Sequence, residues 1–211
     1  MRARAANRSG RPAGIRRGGV RMRAIEHFKT ITHHRHLVRQ YCFRLGLYYQ
    51  GLTHDLSKYS PSEFWRGVRY YQGYRSPNDA ERRENGVSLA WLHHKGRNRH
   101  HYEYWTDMNR ETKCYEPVPM PRRYFVEMVM DRRAACMTYQ GKAYRDDSAL
   151  QYFERSREKD LMHPETSRQL RFILGMLAEQ GEAETLSYLR RSVLRGKPFP
   201  WEEEQDSPTC K

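Results

Sequence analysis

Apolar residues recur at helical spacing over most of the chain. Between positions 25 and 45 they form one stripe, which ends before Gly46 and includes Ile31, Val38, Tyr41 and Leu45. A second long stripe begins at Pro121, passes through Phe125 and Met128, and continues to about Tyr139. Apolar positions three, four and seven residues apart occupy one face of an α-helix. Two long helices are therefore predicted, each with one buried face.

Helix start signals predict shorter helices around these two. Ser60-Pro61-Ser62-Glu63 has the form of a capping box and predicts a helix that runs to about Gly73. Further helices are predicted over 47–56, from Ser76-Pro77-Asn78-Asp79, from Ser88 to His94, in the segment after Asn98, and near 164–180 and 182–195. The chain has neither an alternating strand pattern nor a glycine-rich phosphate loop. The predicted fold is all-α, a single compact helical bundle.

The formal net charge of +14 favours an anionic partner, such as nucleic acid or a phosphorylated substrate. Half of this charge comes from residues 1–21, which contain seven arginines and no acidic residue. This segment is rich in Gly and poor in large apolar residues, which predicts a disordered extension. We interpret Met22 as the true start, so that 1–21 is dispensable or not translated. An RNA-binding tail is the alternative.

The remaining composition indicates one domain over 22–196, followed by an acidic, flexible tail over 197–211. The four cysteines are scattered and form no CxxC pair, which favours a reduced, cytoplasmic setting. The chain has neither an apolar signal region nor a run of about 18 apolar residues. Secretion and membrane spanning are therefore not expected.

Ten histidines are distributed unevenly and suggest a metal site. On the first long helix His34 shares the apolar face with Ile31 and Val38, whereas His33 and His36 point away from it. On the second, Asp131 lies on the face of Met128. A core histidine bonded to a carbonyl would also explain His34. An ion pair with Arg132, Arg133 or another helix would also explain Asp131, because a buried carboxylate needs a counter-charge.

The dipeptide His54-Asp55 places two possible metal ligands side by side, with Lys58 three residues later. Imidazole and carboxylate suit Zn, Fe, Mn, Co and Ni. Lys58 would lie near the same centre, where it could meet an anion bound to the metal.

In order along the chain, these residues resemble the H…HD…H…H…D signature of the HD-domain superfamily of metal-dependent phosphohydrolases. The elements are His34, His54-Asp55, the pairs 93–94 and 100–101, and Asp131. The stretch HDLSK is similar to the HDxxK form of some members. Residues 25–190 also resemble an uncharacterised bacterial family of this type, through GLTHDLSKYSPSEF, AWLHHKGRNRHHYEYW and EMVMDRRAA.

The resemblance implies an all-α fold of the HD type and a site for one or two divalent ions, which could be Mn, Fe, Zn, Co, Ni or Mg. The implied ligands of the first ion are His34, His54, Asp55 and Asp131. Asp55 would bridge to a second ion, with His94 and His101 as its further ligands, and with His93 and His100 as possible substitutes. The His34–His54 spacing of 20 residues and the short gap between the two pairs depart from the usual pattern.

The implied activity is hydrolysis of a phosphate ester or nucleotide, with Asp55 and Lys58 as catalytic residues. Lys58, Lys95 and Arg97 would hold phosphate oxygens, and Glu63 or an unligated histidine would move protons. Two alternatives stay open: a non-haem dinuclear iron protein that acts on oxygen or peroxide, and a non-catalytic RNA-binding module with HHKGRNRHH as a basic loop.

Overall fold

The computed structural model describes residues 17–203, and within this range the protein is all-α. The helices are α1 (Arg17–Arg44), α2 (Tyr48–Thr53), α3 (Pro61–Tyr70), α4 (Pro77–Asn85), α5 (Leu89–Lys95), α6 (Arg122–Gln140), α7 (Ser148–Arg155), α8 (Pro164–Arg191) and α9 (Pro200–Glu203). Short 3₁₀ turns cover Leu56–Tyr59, Tyr102–Tyr104, Gly141–Ala143, Glu158–Asp160 and Val193–Arg195.

Helix α6 is the centre of the core and packs against α1, α7 and α8. Its buried apolar residues occur all round the helix, because neighbours cover it on several sides. They are Phe125, Val126, Met128, Val129, Met130 and Ala134. Val38 of α1 and Leu170, Ile173 and Leu174 of α8 complete the same cluster. The fold is therefore organised around the helix that carries Asp131.

Most predicted helices are confirmed, with boundaries set by local backbone chemistry. Helix α1 is followed by Gly46 at φ +79°, the left-handed conformation that glycine adopts without steric cost. The predicted division near residue 181 is also present. Helix α8 is broken at Gly181, where φ is +78° and ψ is −175°.

Other details differ from the prediction. Helix α3 ends at Tyr70 rather than near Gly73. A small antiparallel hairpin joins β1 (Thr106–Met108) to β2 (Tyr115–Pro117), although no strand pattern was evident. Three residues per strand are too few to produce a recognisable alternation. Two short helices, α7 and α9, were not predicted.

The ends of the predicted domain also differ. Residues 17–21 were assigned to the extension but belong to α1. At the other end Phe199 is buried and stacks on Trp201, so the packed structure continues past Gly196. The rest of the predicted extension, 1–16, and of the tail, 204–211, lie outside the described residues. Along the described range, we find no helix with both the length and the apolar character needed to cross a bilayer.

We expect Leu170→Ala to lower the free energy of unfolding by about 2–5 kcal/mol, because the Leu170 side chain is fully buried and its truncation leaves a cavity. Leu161→Ala is the matched control. Leu161 is 62% exposed, so the change there should stay within about 0.5 kcal/mol. Urea denaturation measures both, and equal effects would contradict the packing described.

Candidate metal centre

His34 and Asp131 reach the interior because each lies on the buried face of a long helix. His34 is 6% exposed, whereas His33 and His36 on the same helix are exposed. Its Nε2 lies 2.9 Å from Asp131 Oδ1. The Asp131 carboxylate therefore faces imidazoles and, within the described range, does not form the alternative ion pair with an arginine.

His54 and Asp55 reach the same place through an unusual turn. Helix α2 ends at Thr53, and Asp55 then adopts φ +54°, a left-handed conformation that is uncommon outside glycine. Arg35 of α1 holds this turn by donating hydrogen bonds to the carbonyls of His54, at 2.7 Å, and Leu52, at 3.2 Å. Two consecutive side chains therefore point into the bundle, where His54 is 2% and Asp55 0% exposed.

The first group of facing atoms comprises His34 Nε2, His54 Nε2, Asp55 Oδ2 and Asp131 Oδ1. The two Nε2 atoms are 3.4 Å apart, and each lies 2.9–3.5 Å from both carboxylate oxygens. Metal–ligand bonds of about 2.0–2.2 Å place neighbouring ligand atoms roughly 3.0–3.5 Å apart. The spacing of this group matches what one bound ion requires.

The second group lies on the other oxygen of Asp55. Asp55 Oδ1 is 3.1 Å from His94 Nε2 and 3.3 Å from His100 Nε2, and His101 completes the group. The four ligand atoms lie within 4.8 Å of one another. Asp55 is therefore shared between two groups, each of which could hold a metal ion.

Two buried glutamates orient these imidazoles from behind. The Nδ1 atoms of His54 and His100 donate to Glu127 Oε1 at 2.9 and 3.1 Å. His94 Nδ1 donates to Glu63 Oε2 at 2.8 Å. An ionised carboxylate can only accept, so each Nδ1 carries a hydrogen, and each ring in its neutral form presents the Nε2 lone pair to the centre. All three rings are fixed in the tautomer that ligates through Nε2.

Sequence reasoning missed Glu127 and assigned Glu63 differently. Glu127 lies one turn before Asp131 on α6, so the same face argument would have found it. Glu63 was predicted to close a capping box, but Ser60 makes no side-chain cap and the Glu63 carboxylate bonds His93 and His94 instead. Two imidazoles distant in sequence compete successfully for this carboxylate.

Unpaired polar atoms at the centre provide a test of whether a cation fits. Asp55 Oδ1 and the Nε2 atoms of His94, His100 and His101 are buried without a hydrogen-bond partner in the described structure, whereas Asp55 Oδ2 is paired with Lys58. Each such atom costs about 1–3 kcal/mol of stability if it stays unsatisfied. A divalent ion would satisfy all four, and imidazole with carboxylate is a donor set that such ions accept. The residues therefore fit a metal.

The two aspartates are ionised despite their burial. Burial raises the pKa of Asp55, but the charges of His54 and Lys58 outweigh this and hold the pKa well below its usual range. Asp131 behaves alike, because the nearby imidazoles of His34 and His54 offset its burial and lower its pKa. Lys58 Nζ lies 2.6 Å from Asp55 Oδ2, so a cation already borders the shared carboxylate.

A cavity of about 730 Å³ opens beside the cluster. It is lined by His34, His94, His101, Asp131 and Lys58, so the centre and the predicted catalytic lysine share one open space. Three arginines that were not predicted to bind substrate also line it: Arg75, Arg82 and Arg132. The cavity can accept a molecule much larger than a phosphate group.

The remaining predicted residues lie elsewhere. Of the possible substitutes, His100 joins the second group together with His94 and His101 rather than replacing either. His93 stays outside, with Nδ1 on Glu63 and Nε2 on Ser62. Lys95 and Arg97 were predicted to bind substrate, yet the described residues that line the cavity include neither. Lys95 is the last residue of α5, and Arg97 is exposed just after the helix ends at Gly96.

Fold and site together define an all-α protein with a buried His/Asp cluster that could hold metal ions. The model of a family of unknown function, DUF5662, matches residues 23–176, and the chain belongs to this family. The match spans every residue of the cluster. Comparisons with curated proteins and with solved structures found no match.

We expect Glu127→Gln to weaken metal binding about 10- to 100-fold, because two ligand imidazoles lose the carboxylate that orients them. Competition with a chromogenic chelator measures the affinity. Glu26→Gln, on the exposed side of α1, is the control and should leave it unchanged. Equal affinities for all three proteins would show that Glu127 has no such role.

Metal binding should strengthen with rising pH. In the metal-free cluster burial lowers the pKa of His100, but the carboxylates of Asp55 and Glu127 outweigh this and raise it to about 10. The ring is therefore protonated near neutrality, and its proton must leave when a metal binds. Affinity should increase from about pH 6 to 9. Calorimetry in buffers of different ionisation enthalpy counts the protons, and binding without proton release would contradict this.

Proposed function

We propose that this protein is a metal-dependent phosphohydrolase of the HD type that acts on a phosphate ester or nucleotide. The observation that carries the proposal is the shared carboxylate of Asp55, with one oxygen facing His34, His54 and Asp131 and the other facing His94 and His100. A bridging Asp with imidazoles on both sides supports a two-ion centre. The order of these residues along the chain supports the HD assignment.

The proposed roles divide the cluster by chemistry. His34, His54, Asp55 and Asp131 would hold one ion, and Asp55, His94, His100 and His101 the other. Bound divalent ions would lower the pKa of water and screen the negative charge of a phosphate group. Glu127 and Glu63 hold a hydrogen on Nδ1 of these imidazoles and orient their Nε2 atoms towards the centre.

Lys58 is the residue best placed to meet the phosphate. Its ammonium group borders both Asp55 and the cavity, and its burial is compensated by Asp55, which helps raise its pKa above the usual range. A permanent positive charge there would stabilise the charge that develops on phosphate oxygens during hydrolysis. Arg132, next to Asp131 on the cavity wall, is paired with Glu158 at 2.7 Å and is less available.

The two alternatives differ in what they require of the same residues. An oxygen-activating iron protein would use the same ligands, so bound iron with visible charge-transfer absorption would favour it. For RNA binding through HHKGRNRHH, the histidines should form a surface, whereas His94, His100 and His101 face the cluster. Of the cations in this stretch, Arg97 and Arg99 are exposed and Lys95 is partly buried.

The test combines metal analysis of protein purified without a histidine tag with hydrolysis of a panel of phosphate esters. Asp55→Ala should abolish stoichiometric metal and leave helical circular dichroism largely intact, because Asp55 is common to both groups. His36→Ala, an exposed histidine on α1, is the control and should change neither. Metal content unchanged by Asp55→Ala would contradict the site.

Lys58→Met separates catalysis from metal binding. The variant should keep its metal, since Lys58 is not a ligand, and lose about 10²–10³-fold in kcat for the best ester of the panel. Chelator should abolish wild-type hydrolysis. A metal-loaded protein that hydrolyses no ester of the panel would count against the proposed function and leave the metal site standing.

A further inference from the structure

A buried histidine lines the cavity at a distance from the metal centre. His27 is on α1, seven residues before His34, and is 6% exposed. Residues seven apart lie on one face of a helix, roughly 10 Å apart along its axis. Ile31 and Thr30 line the cavity between them, so one wall runs from the metal centre to His27.

The ring of His27 has no hydrogen-bond partner in the described part of the chain. Its Nδ1 is buried and unpaired, and no bond to Nε2 is present either. Buried polar groups in folded proteins are nearly always bonded, so an unpaired imidazole needs an explanation. Burial and the charge of Lys58 lower the pKa of His27 to about 4. The ring is therefore neutral and can both donate and accept one hydrogen bond.

The surroundings hold this ring in place and pack closely on its Nε2 side. Phe64 and Tyr71 contact it, with ring centroids 5.4 and 5.6 Å away. Gly67 of α3 lies against it: a Cβ at this position would be 2.2 Å from Nε2. Gly67 also lines the cavity. Any residue larger than glycine at position 67 would push the imidazole away, so Gly67 and the two aromatic rings fix its place, and Nδ1 is the buried nitrogen without a partner.

We propose that His27 binds the substrate of the metal centre, through a hydrogen bond to a polar group roughly 10 Å from the phosphate. The inference rests on the proposed function, in which the phosphate lies at the cluster. It narrows the substrate to phosphate esters whose alcohol portion is extended and carries a donor or acceptor at its far end. The cavity of about 730 Å³ has room for such a molecule.

The test uses phosphonates, which are not hydrolysed, so that binding is read without activity. Alkylphosphonates of graded length are compared with ω-hydroxyalkylphosphonates of equal length by calorimetry, using protein of measured metal content. The hydroxyl should improve affinity about tenfold once the chain spans the distance to His27, and little in shorter chains. A hydroxyl that adds nothing at any length would overturn the inference.

Variants assign the effect to His27. His27→Leu and Gly67→Ala should each remove the gain from the hydroxyl, the first by deleting the ring nitrogens and the second by displacing the ring, since the added Cβ would lie 2.2 Å from Nε2. His27→Gln should restore part of it, because an amide keeps a donor and an acceptor. His33→Leu, on the exposed side of the same helix, should leave it unchanged. Methylphosphonate affinity and metal content should stay constant throughout.

The outcomes separate the two proposals. If the terminal hydroxyl still improves phosphonate affinity in both His27→Leu and Gly67→Ala, the role of His27 is contradicted. The phosphohydrolase proposal is then unaffected. Failure of every phosphonate, methylphosphonate included, to bind would overturn the phosphate site itself and the inference with it.

Discussion

The carboxylate of Asp55 is the constraint on which the rest of the site depends. It is fully buried, its Oδ2 is paired with Lys58, and its Oδ1 has no hydrogen-bond partner within the described structure. Each oxygen faces a different set of imidazoles. Its backbone is held in the left-handed region, a conformation that costs of order 1–3 kcal/mol and persists only where the surroundings impose it. Arg35 supplies part of that constraint by bonding the carbonyl of His54. Asp55 therefore combines a buried carboxylate with a strained backbone, which is typical of a functional position.

Around this carboxylate the structure arranges its charges in layers. Histidines surround the centre, and the buried glutamates Glu127 and Glu63 lie behind them, so each oriented ring is bonded at Nδ1 and directs Nε2 towards the centre. Without a cation this arrangement would bury unpaired atoms, and protons would occupy rings such as His100. A divalent ion removes both costs. Lys58 lies beside Asp55 and lines the cavity, so its positive charge is placed to bind an anion at the centre.

Much of the fold and part of the site could be predicted from the sequence, because helical periodicity is local. The faces of α1 and α6 identified His34 and Asp131 as inward, and glycines marked the ends of helices. Periodicity could not choose among the histidines of 93–101, since that segment leaves the helix at Gly96 and folds back through a turn. The same limit applies to Lys95 and Arg97: their place outside the cavity depends on how α5 meets α3, which spacing along the chain does not encode.

The roles of Glu63 and His27 show why residue type alone was insufficient. Glu63 has the spacing of a capping residue, yet its partner is set by tertiary contacts with α5. His27 was not singled out in the sequence, and its significance comes from lacking a partner inside a cavity, which only coordinates reveal. The pattern of apolar positions along a sequence cannot predict that a buried side chain lacks a hydrogen-bond partner.

Anomalous diffraction from crystals grown with Mn²⁺ or Zn²⁺ tests the shared carboxylate most directly. We predict two peaks, about 3.5–4 Å apart, one beside each oxygen of Asp55. The absence of any peak within bonding distance of Asp55 would contradict the central claim.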